Sequence, residues 1–400
     1  MEFLLFLLVV AALAAFLVPR LMQRRRAVKA AVGGFTRSND PDAYGFVPAA
    51  ELDVRLPGPD HELVEALTET QRTQDYEPVA RLLALTADDW ELRWQRVQSL
   101  AGAAAVELRA ARATGAEQPP PEPGPAPAPG GISFTKDAPT EARQQDARWL
   151  RNWRTERPQD RSAAQVYAQF LVWQALADPS SADHRIVLEE ARNVAREAAA
   201  MADEDPTPHL TELFVARRLG YRRADFEALW NEVVRRAPHH MGAHLAALPY
   251  WSEKWHGSRE DAYAFARNAA ARAPEGSLLP ALPLFAVWDH LPEANMVRGM
   301  YQSKVVEDAI EAAEFAVNEA ADDHPVRAHV LHLLLCLLVR SERFEEAMEA
   351  LRAVDGYVGA LPWIEAPDPA RAYAAYRALA VAGYESHGGS TASAPPPPLH

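Results

Sequence analysis

Hydrophobic and polar positions divide this chain into one apolar block, a long helical field and three stretches without periodicity. From Phe3 to Val18 runs an unbroken series of 16 apolar residues, closed by Pro19 and Arg20 and followed by Arg24, Arg25 and Arg26. As a helix this run is about 24 Å long, somewhat short of a hydrocarbon core of about 30 Å. Leu21 and Met22 extend it, and Arg20 can carry its charge out to the interface. A cleaved signal peptide has basic residues before its apolar run and small residues at a cleavage site. Here only Glu2 precedes the run and the basic cluster follows it. Residues 1–32 are therefore expected to be a single-pass membrane anchor with a basic flank. Basic flanks stay cytoplasmic, which places the N-terminus outside and the main body in the cytoplasm.

Residues 33–59 are rich in Gly, Pro and Asp and read as a flexible loop between anchor and body. Apolar spacing predicts a first helical segment over residues 60–115, with helices at 61–70, 77–85 and 87–113. Residues 116–137 hold a Pro/Gly/Ala stretch with no apolar period and read as a linker. From 138 to 384 the pattern is helical almost throughout, with no alternating β-branched run, so no sheet is expected. Residues 385–400, with Pro395–Pro398, read as a disordered tail.

Within the helical field a helix pair recurs. Residues 325–354 show it most clearly: Leu331, Leu334, Leu335 and Leu338 share one face, Ser341-Glu342-Arg343 makes a turn, and Phe344, Ala347, Met348, Leu351 and Val354 line a second helix. Other second helices centre near Ala191, Phe226, Ala262 and Ala309. With Ala347, the spacings are 35, 36, 47 and 38 residues. Such pairs bury both apolar faces only by stacking on neighbours.

Residues 325–354 resemble a tetratricopeptide repeat, with Ala347 where helices approach closely and Leu335 at the usual glycine position. Tyr250-Trp251-Ser252-Glu253-Lys254-Trp255-His256-Gly257-Ser258 is similar to a turn of an uncharacterised bacterial helical-repeat family, which carries Lys-Trp-Gly-Gly-Ser there; His256 replaces the first glycine. The resemblance covers about residues 75–290, apart from the proline-rich stretch. It implies an all-α, tetratricopeptide-like α-solenoid and no assigned reaction.

Charge narrows the classes of partner. The net charge is −14, and the first 30 residues carry five basic side chains against Glu2; their +4 leaves −18 on the rest. So acidic a body disfavours nucleic acid, while the basic flank suits anionic headgroups. The single cysteine, Cys336, makes no internal disulfide.

Candidate chemistry is sparse. Trp90/Trp94, Trp149/Trp153 and Trp251/Trp255 have i, i+4 spacing, suited to an aromatic groove or to packing between repeats. The candidate interaction surface is Trp251, Lys254, Trp255 and His256, which combines aromatic, basic and turn residues. His239, His240 and His244 have a chelating spacing, but Pro238 and Gly242 interrupt a helix there. His329, His332 and Cys336 share a helix face amid leucines and read as core. No nucleophile elbow, P-loop or dinucleotide fingerprint occurs. The expectation is a membrane-tethered scaffold that binds an unknown protein or peptide on its concave face, without catalysis, cofactor or nucleic acid. The alternative is a metal-dependent or other enzyme near 251–258 or the 239/240/244 histidines.

Overall fold

The computed structural model describes residues 44–116, 146–291 and 299–390. The expected anchor from Phe3 to Val18, its arginines, the linker beyond residue 116 and the tail beyond 390 lie outside the described residues. Among the described residues the fold is all-α: fifteen α-helices and short 3-10 turns, with one isolated bridge (Asp53 to Tyr357) and no strand. None of these helices is long and apolar enough to cross a membrane. The chain forms two compact units, residues 59–327 and residues 1–58 with 328–400.

The larger unit contains α1 (His61–Thr73), α2 (Glu77–Thr86), α3 (Trp90–Ala116), α4 (Arg148–Glu156), α5 (Arg161–Ala177), α6 (His184–Met201), α7 (Thr207–Leu219), α8 (Arg223–Arg236), α9 (Met241–Ala247), α10 (Arg259–Ala271), α11 (Leu282–His290) and α12 (Lys304–Glu319). Side-chain caps start several of them. Asp60 accepts from the Leu63 N–H at 3.0 Å, and Asp160 accepts from the Ser162 N–H at 2.9 Å. Short connections then fold α5 against α6, α6 against α7, and α7 against α8; α10, α11 and α12 continue in the same way. Ala191, Phe226, Ala262 and Ala309 are all buried in α6, α8, α10 and α12, where the spacing places second helices.

The long helix α3 differs from expectation in its start. It begins at Trp90 rather than 87, because Ala87 has a positive φ of 48°. It belongs with the helices beyond the proline-rich stretch, since it packs along α5 and also touches α7 and α9. Arg93 anchors it. Its buried guanidinium donates to Gln165 Oε1 (2.9 Å), Ser162 Oγ (2.8 Å) and Leu83 O (2.8 Å), with Asp205 at 3.4 Å. Trp94 meets Phe214 of α7 with ring centroids 6.0 Å apart. The face presented by α5, α7 and α9, first helices of successive pairs, is thus covered by the chain's own α3.

The smaller unit joins residues 44–58 to α13 (Arg327–Arg340), α14 (Phe344–Val354) and α15 (Pro369–Ser386). Residues 44–58 are not a free loop. Tyr44, Phe46, Leu52 and Leu56 are buried, and backbone bonds run from Asp53 N–H to Gly356 O (2.8 Å) and from Val358 N–H to Asp53 O (2.8 Å). Gly359 permits this approach, because a Cβ there would sit 2.6 Å from the Leu56 carbonyl carbon. Asp355 closes the strap. It accepts from the Val47 N–H (2.6 Å), the Tyr373 hydroxyl (3.1 Å) and Arg377 (3.1 Å). In α13 residues 330–339 are buried on every side, not on the single leucine face of the pattern.

Candidate functional site

The turn from Trp251 to Ser258 is built by aromatic stacking and one close backbone approach. Tyr250 lies flat on Phe226 of α8, with centroids 3.6 Å apart and planes 4° apart, and its hydroxyl donates to Tyr221 O at 2.9 Å. Trp251 stands edge-on to Phe226 and is buried. The chain then reverses: Trp255 N–H donates to Ser252 O (3.1 Å) and His256 N–H to Tyr250 O (3.2 Å). A Cβ on Gly257 would lie 2.1 Å from Trp251 O, so only glycine fits. Ser258 caps α10, accepting from the Asp261 N–H at 3.1 Å.

This geometry separates the four residues expected to form one surface. Trp251 belongs to the core, because the 3-10 turn Leu248–Trp251 ends there and the next residues turn away; the two tryptophans do not share a helix face. Lys254 and His256 are exposed and Trp255 is half-buried. Lys254 Nζ reaches Asp289 Oδ1 at 2.9 Å, and the His256 ring stacks on Tyr250 at 4.7 Å.

Trp255 receives two arginines from the last turn of α7. The Arg217 guanidinium carbon lies 5.1 Å from its ring centroid and that of Arg218 lies 4.7 Å away; Arg217 also lies 5.4 Å from the Phe214 ring. Among the described residues neither guanidinium has a hydrogen-bond acceptor, and the Nε of each is buried without one. Burial, followed by repulsion from Arg218, pulls the Arg217 pKa down to about 10, with Asp289 opposing. Burial also lowers that of Arg218. Arg217 therefore remains cationic at neutral pH.

The histidines do not form a metal centre. His239 is exposed, while His240 caps α9, with Nδ1 facing the Ala243 N–H at 3.1 Å and Nε2 3.1 Å from Trp90 O. His244 is buried edge-on against Trp230, centroids 4.9 Å apart, and burial pulls its pKa down to about 4. Near the first two lies a cavity of about 430 Å³ lined by Asp88, Asp89, Glu91, His239, His240 and His324. Glu91 is committed to α9, accepting from the Met241 and Gly242 N–H groups. Among the described residues no three His, Cys, Asp or Glu side chains converge as metal ligands. His332 instead bonds Pro57 O (2.9 Å) and the Trp363 indole N–H (3.0 Å), and Cys336 is buried.

The spacing of the sequence misses Arg217, Arg218 and Phe214. A dibasic pair before Gly220 reads as an ordinary helix C-terminus, and nothing local ties it to Trp255. No protein-family model, curated protein or solved structure matches this chain.

Proposed function

We propose that this chain is a membrane-tethered helical-repeat module that binds a protein or peptide partner and carries no catalysis of its own. The observation that carries this reading is the Trp255 cluster, where two cations lie against a half-buried indole with no hydrogen-bonded acid among the described residues. Stacked pairs α5/α6, α7/α8 and α10 to α12 support a tetratricopeptide-like solenoid, as does the burial of Ala191, Phe226, Ala262 and Ala309. Because α3 covers the face shared by α5, α7 and α9, the partner engages the outer surface at α7 and the 251–258 turn, not a concave groove. The apolar run from Phe3 to Val18 and the arginines after it support a site at a membrane, with the body on the cytoplasmic side.

The test is in-membrane crosslinking of the full chain with a photo-reactive amino acid at His256. A discrete crosslinked band that is absent when the group is placed at the exposed Arg185 supports the reading. No band at His256 in membranes sinks it. Protease added to intact cells should leave the body uncut; cleavage after residue 44 from outside would reverse the orientation.

A further inference from the structure

Buried arginines elsewhere in the larger unit come with an acid. Arg93, Arg96 and Arg236, whose side chains are 1–5% exposed, have carboxylates at 3.4, 2.9 and 2.6 Å. Arg217 and Arg218, only partly buried, have no ion pair among the described residues. They are adjacent and held against the same indole, Arg217 mostly and Arg218 partly withdrawn from water, and the nearby carboxylate acting on Arg217, Asp289, is engaged by Lys254. Two like charges in one partly dry place repel each other, and each guanidinium has unused donors in a planar fork suited to a carboxylate. Phe214 and Trp255 supply apolar ring faces, and the exposed Lys254 and His256 flank Trp255 in the turn.

We propose that the Arg217–Arg218–Trp255 cluster docks a partner peptide segment carrying two adjacent acidic side chains, one carboxylate for each guanidinium. This rests on the interaction-module reading above and names the chemistry of its partner. A membrane surface or a nucleic acid fits less well. The body outside the first 30 residues carries −18, so an extended polyanion is repelled across the Debye length of about 8 Å. A short acidic pair in a neutral peptide meets the two cations at contact and avoids most of that field. Both guanidiniums already rest against the indole, which lowers the ordering cost of binding.

The test uses the full chain in detergent micelles and fluorescence anisotropy of a labelled octapeptide with a central Glu-Glu pair, beside its Gln-Gln counterpart. The Glu peptide should bind at least about tenfold more tightly than the Gln peptide. Arg218→Gln should weaken it about tenfold or more, Arg218→Lys should fall between, and Arg185→Gln should leave it unchanged. Arg217→Gln should match Arg218→Gln; if it fails to fold by thermal melt, the less buried Arg218 carries the test. Equal affinity for the two peptides, or full affinity in Arg218→Gln, overturns the proposal. So does arginine-dependent binding to phosphatidylserine vesicles in place of the peptide. A His256 crosslink that persists in Arg218→Gln without peptide binding removes this site alone. Absence of that crosslink in every form removes the module itself.

Discussion

His332 sits between two fixed partners. The indole of Trp363 can only donate, so His332 Nδ1 accepts from it and Nε2–H donates to Pro57 O, which defines a neutral ring. Burial pulls its pKa down to about 3, against roughly 6.5 in an unfolded chain. Between those values the unfolded state binds a proton that the folded state refuses. Stability is therefore full above pH 6.5 and falls as pH drops, by about 1.4 kcal/mol per unit. Between pH 7 and pH 5, urea unfolding should show about 2 kcal/mol lost from the smaller unit through His332, with His329, which burial pulls down to about 4, adding a loss of the same sign, and about 2 kcal/mol from the larger unit through His244. Hydrogen exchange over residues 330–339 isolates the first effect. His332→Asn should be weaker at pH 7 yet shallower in its pH slope; an undiminished slope would contradict this account. Gly257→Ala tests the other end of the residue scale. Its Cβ collides with Trp251 O, so the variant should lose about 1–3 kcal/mol and shift Trp255 emission.

At the scale of elements, α3 depends on one buried group. Arg93→Ala removes four donated bonds and leaves Asp205, fully buried, with Gln165, the Thr207 N–H and the more distant, half-exposed Arg161 at 3.8 Å. Loss of one member of a buried pair costs about 3–5 kcal/mol, so thermal unfolding of the larger unit should fall steeply while surface variants such as Arg185→Gln barely move it. The helices themselves were legible in the sequence. Residues 61–70 and 77–85 fall in α1 and α2, and the five small or aromatic centres from Ala191 to Ala347 each fall in a second helix. Periodicity records which face is apolar, and that is settled locally. What it could not record is the partner of each face. Leu331 to Leu338 reads as one stripe, whereas the strap at 44–58 and Trp363 surround the helix from more than 250 and about 25 residues away. The candidate surface shows the same limit. Lys254, Trp255 and His256 are visible as a turn, but Arg217 and Arg218 complete it only through the stacking of α7 beside that turn.

At the scale of the whole molecule, the smaller unit is written in two pieces of sequence around the larger one. Truncation after Arg327 should leave Tyr44, Phe46, Leu52 and Leu56 without their cover and make residues 44–58 sensitive to limited proteolysis. Asp355→Ala, which drops the acceptor of Val47, Tyr373 and Arg377, should give a milder form of the same cleavage. Equal resistance in both variants and the parent would mean that the strap is held by something other than α13 to α15. The strap also makes residues 44–58 part of the folded body and not of the loop expected over 33–59.

The Asp355 clasp also imposes an order of events. Leu56 leaves the ribosome more than 300 residues before Tyr373, which at about 5–20 residues per second is a wait of about 15–60 s. Through that interval the larger unit, whose residues are contiguous, has everything it needs to fold, while four large apolar side chains near the N-terminus have nowhere to go. The last helix among the described residues is the one that covers this early segment, so a chain that stops before Tyr373 leaves those side chains open to chaperones and proteases.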